Sequence, residues 1–91
     1  MNAFTRLLHR RPRPANVQPM VEALRDLKVL APAEWENEVE KALHYARQKR
    51  WGRVWDRLQA AAGANAGTPF GDAAEPLRAR AERLAMASGK A

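Results

Sequence analysis

"RQKRWGRVWDRLQAAA", residues 47–62, carries two of the three tryptophans and five of the sixteen basic residues of the 91-residue chain. How it joins what precedes it decides the fold. The residues before it, Trp35, Val39, Ala42, Leu43 and Ala46, recur at helical spacing and form one apolar stripe. Inside it, Trp51, Val54, Trp55, Leu58 and Ala62 form another. At 100° per residue the centre of the apolar face slips by roughly 130° between the two stripes. One straight helix over both would have to bury two different faces. A turn near Gln48–Arg50 followed by a new helix removes the conflict, and Gly52 lowers helix propensity beside it. The alternative is one long or kinked helix over 32–62 wrapped between two partners.

Outward from this junction, the spacing predicts a helix over 17–30, with Asn16 as N-cap, Pro19 in the first turn and Val17, Met20, Val21, Leu24 and Leu27 as its core stripe. A second helix is predicted over 32–48, with Pro32 at its first position. Glu34, Glu36, Glu38 and Glu40 crowd its first half, and Arg47, Lys49 and Arg50 its end. Both placements complement the helix dipole. The third helix is predicted over 51–62. "GANAGTPFG", 63–71, with three glycines and a proline, reads as a flexible loop that Phe70 is placed to pin. A last helix is expected over 72–87, opened by an Asp72/Glu75 capping box. Its stripe of Leu77, Ala81, Leu84 and Ala85 is thin and should hold it least firmly. Residues 88–91 form a tail. The predicted fold class is all-α, a small bundle of three to four short helices with a basic N-terminal arm, the helical core lying within 16–62.

Charge is distributed unevenly. Residues 1–15 hold Arg6, Arg10, Arg11 and Arg13 and no acid, which leaves +2 of the net +6 for the rest. Such an arm attracts anionic partners. Phe4, Leu7 and Leu8 fall at helical spacing within it and are candidate membrane or docking contacts; Pro12 and Pro14 disfavour helix beyond them.

"ALHYARQKRWGRVWDRLQAA", 42–61, resembles the paired helices of a tetratricopeptide repeat. Ala42, Tyr45, Trp51, Val54, Leu58 and Ala61 stand where that repeat has small or aromatic residues. Glu38 and Lys41 replace apolar residues of the pattern, Lys49 replaces the turn glycine, and no proline closes the unit near Ala66. The pattern occurs once, whereas such repeats are stacked. The resemblance implies a helical hairpin.

No cysteine is present, which excludes disulfides, thiol catalysis and cysteine-bound metals. The apolar runs are too short for a transmembrane helix, and the first residues lack the pattern of a secretory signal, so the expected location is cytoplasmic. The four glutamates of the second helix spread around it and are expected to face solvent without binding metal. His9 lies in the basic arm. His44 has Glu40 four residues before it, a pair more often an ordinary surface contact than an acid–base device. No nucleophile has partners around it, so no enzyme activity, cofactor or small-molecule substrate is expected.

What remains is binding. Trp35, Tyr45, Trp51 and Trp55 are the candidate protein interface, because aromatic residues with arginine are the usual interface anchors. For Trp51 and Trp55 an ordinary core role competes with that reading. Arg50, Arg53 and Arg57 fall at i, i+3 and i+7 on one flank, roughly 120° from the tryptophan stripe. With Arg6, Arg10, Arg11 and Arg13 they are the candidate phosphate or anion contacts. The leading expectation is an adaptor or accessory subunit that docks on a larger protein or on itself. The alternatives are binding to nucleic acid and attachment to an anionic membrane surface.

Overall fold

The slip in apolar phase is resolved by a turn that ends one helix at Arg47 and begins the next at Trp51. The computed structural model describes residues 17–88 and is all-α. Among the described residues four helices follow one another: α1 (Gln18–Leu30), α2 (Ala33–Arg47), α3 (Trp51–Ala64) and α4 (Pro69–Ala87). Residues 32–62 are therefore a helical hairpin and not one long helix, the arrangement that the resemblance to paired repeat helices implies.

The turn between α2 and α3 ends a helix in the way backbone hydrogen bonding requires. Lys49 takes the left-handed conformation, with φ of 59°. Its N–H donates to the Ala46 carbonyl, and the Arg50 N–H donates to the Tyr45 carbonyl, each at 3.0 Å. These two bonds form the Schellman arrangement that ends α2, and the Gln48 N–H shares the Tyr45 carbonyl at 3.0 Å. Glycine is the usual residue there, because a Cβ disfavours the left-handed region. The α1–α2 connection is shorter. Pro32 precedes the first helical residue of α2 instead of occupying it, and its carbonyl accepts from the Trp35 N–H at 2.8 Å.

The start of α4 corrects the predicted boundaries. Thr68, not Asp72, caps the helix: its Oγ1 accepts from the Gly71 N–H at 3.0 Å. Pro69 takes the first position, where its missing N–H leaves nothing unsatisfied. The loop expected over 63–71 shrinks to 65–68, with Gly63 inside α3 and Phe70 buried within α4. Glu75 turns to Arg78 instead of closing a capping box. Pro76 lies inside α4, on an exposed position, and removes one interior hydrogen bond.

Each helix packs against two others: α1 with α2, α2 with α3, α3 with α4, and α4 with α1. Backbones of the diagonal pairs do not approach one another. The core holds Met20, Val21, Leu24 and Leu27 of α1, Val39, Ala42, Leu43 and Ala46 of α2, Trp51, Val54, Leu58, Ala61 and Ala62 of α3, and Phe70, Ala74, Leu77 and Ala81 of α4. The α3–α4 pairing is the most extensive in the bundle, although the apolar stripe of α4 is thin. Ala61, Ala62, Ala74 and Ala81 let the two helices come close, so many small contacts replace a few large ones. Gly71 extends this approach. It is buried in α4, and a Cβ on it would overlap the Asn65 carbonyl of the preceding turn.

Ion pairs tie neighbouring helices on the outside. Lys28 donates to Glu40 at 2.7 Å between α1 and α2, and Arg57 donates to Glu38 at 2.8 Å between α3 and α2. No buried side chain among the described residues is charged.

Candidate functional site

Helical spacing alone places Arg50, Arg53 and Arg57 on one flank; the α2–α3 turn gives them a common target. Tyr45 is on the last turn of α2, half-buried. The left-handed Lys49 brings the chain back so that Arg50 reaches the Tyr45 ring, its guanidinium carbon 6.0 Å from the centroid. Arg53 and Arg57 come to the same ring from α3, at 5.9 and 6.0 Å. In a Schellman turn the residues at the Arg50 and Tyr45 positions commonly make an apolar contact; here a cation over an aromatic ring takes its place. Each such contact is worth about 0.5–1 kcal/mol at an exposed site. The other neighbour of the ring is His44, 5.9 Å away and tilted by 55°.

The three arginines differ in what neutralises them. Arg57 donates to Glu38, which holds its guanidinium above the ordinary arginine range, and the Tyr45 hydroxyl adds to this. Arg50 and Arg53 have no carboxylate partner among the described residues. Two guanidiniums are thus positioned by a ring and leave their hydrogen-bonding capacity for something else. Lys41, 3.9 Å from Glu38, and the exposed Arg47 and Lys49 extend the basic edge.

The aromatic candidates separate by depth. Trp51, at 6 % exposure, is committed to the core at the first position of α3. Trp35 and Trp55 are half-buried and pack against the core from outside. The Trp55 indole N–H is buried and has no acceptor. An open groove of about 670 Å³ runs from Lys49, Arg50 and Arg53 past Trp51 and Trp55 to Ala85 and Ser88 at the end of α4. Three large apolar side chains are exposed among the described residues: Val29 and Leu30 at the end of α1, with Leu30 beside a small groove shared with Leu77 of α4, and Met86 near the end of α4. The arm candidates Phe4, Arg6, Leu7, Leu8, Arg10, Arg11 and Arg13, with the N-cap candidate Asn16, lie outside the described residues.

The residues considered for chemistry go elsewhere. Glu40, the neighbour expected for His44, pairs with Lys28, which holds its carboxyl below the usual range. His44 instead meets Gln48 at 3.1 Å. Among the described residues no group of three or more His, Asp or Glu is placed to hold a metal ion. No described helix is long and apolar enough to cross a membrane.

Sequence reasoning grouped Arg50, Arg53 and Arg57 but missed Tyr45 as their hub and Glu38 as the partner of Arg57. The only sequence signal for the hub was the five-residue step from Tyr45 to Arg50 across a helix end. Set against protein-family models, curated proteins and solved structures, the chain matches none of them.

Proposed function

We propose that the chain is a non-catalytic helical interaction module, an adaptor or accessory subunit that docks on a larger protein. Its docking face is the α2–α3 edge formed by Tyr45, Arg50, Arg53 and Arg57. The observation that carries this reading is the pair Arg50 and Arg53, held over one ring without a carboxylate partner. Arginine and tyrosine side by side are the residue types that dominate interface energetics. Arginine offers a planar set of donors to a carboxylate. Ordering both side chains on Tyr45 before contact reduces the entropy lost on binding. The partner surface is therefore acidic. Nucleic acid is the second reading, favoured by the same unpaired guanidiniums, which suit phosphate oxygens equally well.

Affinity purification from the native cell, with and without nuclease, separates the two. The wild-type chain is expected to retain a protein partner after nuclease treatment, and an Arg50→Ala/Arg53→Ala chain to lose it while keeping its helical spectrum. Retention of the same partner by the double variant would refute the assignment of this face. Loss of all partners on nuclease treatment would transfer the function to the second reading.

A further inference from the structure

We infer that the basic N-terminal segment of the chain docks in cis on the outer face of α1 and covers its apolar end. Leu7 and Leu8 meet Val29 and Leu30, and the arginines that follow meet Asp26 and Glu22. The Tyr45 edge takes no part in this contact, so this inference and the docking reading can fail separately.

The surface comes first. Val29 and Leu30 are 83 % and 48 % exposed, whereas Met20, Val21, Leu24 and Leu27 of the same helix are buried. Beside Leu30 a groove opens between α1 and α4, lined also by Ala23, Leu27, Ala73, Leu77 and the exposed Asp26. Glu22 lies four residues before Asp26, on the same face of the helix. Gln18 donates to Glu22 at 3.2 Å, which leaves its charge in place. Neither acid forms an ion pair among the described residues. Lys28 is committed to Glu40 of α2. From the start of the helix onward, this face therefore runs acid, acid, apolar.

The N-terminal sequence is the complement of that order. It runs apolar and then basic, with Phe4, Leu7 and Leu8 followed by Arg10, Arg11 and Arg13, and it holds no acid. A segment that enters α1 at its start and turns back along it meets the helix in reverse. Its leucines then fall at Val29 and Leu30, and its arginines at Asp26 and Glu22. The reach suffices. Leu30 lies about 18 Å from the start of α1 at about 1.5 Å per residue. The nine residues from Leu8 to Val17 span up to about 30 Å, and the surplus covers the reversal. Asp26 and Glu22 are about 6 and 12 Å from Leu30 along the helix. Arg10 and Arg13 can lie up to about 7 and 17 Å from Leu8, so the two patterns share a register.

Patch size selects an occupant from the same chain. Separate proteins that bind stably bury about 1,200 Å² or more, and two exposed side chains beside a small groove fall short of that. A symmetric pairing of two copies at this face would also bring Asp26 and Glu22 of both copies together. A tethered segment needs far less contact, because a short linker holds it at an effective concentration on the order of millimolar.

The chain has no cysteine, so Thr5→Cys provides a single attachment point for a nitroxide. In the full isotope-labelled chain, dilute and at low salt, the nitroxide is expected to broaden the amides of Asp26, Val29, Leu30 and Ala73 several-fold more than those of Arg50 and Arg53. Mixing isotope-labelled chain without nitroxide and unlabelled chain with it should leave those amides sharp. Leu7→Ser/Leu8→Ser and Arg10→Glu/Arg11→Glu should each remove the broadening. Glu22→Lys/Asp26→Lys should restore it in the Arg10→Glu/Arg11→Glu background, a recovery that damage to the fold does not produce. Arg50→Ala/Arg53→Ala should leave it unchanged. Broadening in the mixed sample would give the face to a second copy and overturn the cis contact. Broadening without preference for these amides, or no recovery on charge reversal, would overturn it as well.

Discussion

Gly71→Ala pits a local gain against a packing conflict, and the structure decides the sign. Gly71 is the third residue of α4. In an open helix, alanine is favoured over glycine by about 1 kcal/mol. At this position, however, the new methyl would overlap the carbonyl oxygen of Asn65 and lie 3.1 Å from the Ala66 nitrogen. Both neighbours are backbone and cannot rotate away as a side chain tip would. The Asn65 carbonyl is also committed: it accepts from the Thr68 N–H at 3.1 Å and from Thr68 Oγ1 at 2.7 Å. Moving it disturbs the residue that caps α4 through the Gly71 N–H. Overpacking costs about 1–3 kcal/mol and a weakened cap about 1 kcal/mol. After subtracting the propensity gain, the net loss is about 1–3 kcal/mol. For a domain of this size that is a fall in Tm on the order of 10 °C. Gly63→Ala is the control, since it is also helical but has nothing within 4 Å of the added carbon. It should stabilise by about 0.5–1 kcal/mol. Thermal melts by far-UV circular dichroism, with urea titrations for ΔG, read both. A Gly71→Ala chain melting at or above the wild type would refute the close approach of the 65–68 turn to α4.

Two further predictions rest on single contacts. Lys49→Gly should stabilise the chain by about 1 kcal/mol, because it relieves a left-handed residue with a side chain; an unchanged or lower urea midpoint would argue against the left-handed turn. Glu40 and Glu75 are held below the usual carboxylate range by Lys28 and Arg78, mainly through hydrogen bonds. Their contribution is therefore present above the ordinary glutamate range and is lost as pH falls through the folded values. Tm should decline with acidification in that window, Lys28→Gln should flatten the decline, and an identical acid limb in the variant would remove Glu40 from the explanation.

The first three helices were legible because their buried residues repeat at helical spacing. Met20, Val21, Leu24 and Leu27 show this as clearly in the sequence as in the core. The hairpin turn was legible for a different reason: two apolar stripes out of phase cannot share one straight helix. Its mechanism was not, because nothing in the letter sequence says that Lys49 will accept a conformation usually left to glycine. The start of α4 was misread because Asp72 and Glu75 form a plausible cap, while three nearby glycines suggested loop. The better signal was Thr68 followed by Pro69, an N-cap residue before a first-position proline. The close approach of α3 and α4 was not legible because hydropathy weighs alanine lightly, whereas close packing depends on its small size. At the candidate site, the flank of arginines follows from i, i+3, i+7 spacing. The Glu38–Arg57 pair joins residues nineteen apart on different helices, which only the fold brings together.

The helix contacts close into a circuit that follows chain order and joins the last helix to the first, so the circuit itself has no required starting helix. Leu30, at the end of α1, shares a small groove with Ala73 near the start of α4, so these two helices run in opposite directions. At about 1.5 Å of rise per residue, the beginning of α1 then faces the last turns of α4. A linker could join residue 88 to residue 17, and the ring could be opened at the Ala31–Pro32 connection instead. A circular permutant beginning at Pro32 would keep all four helix interfaces, with α1 entering as the last helix of the new chain.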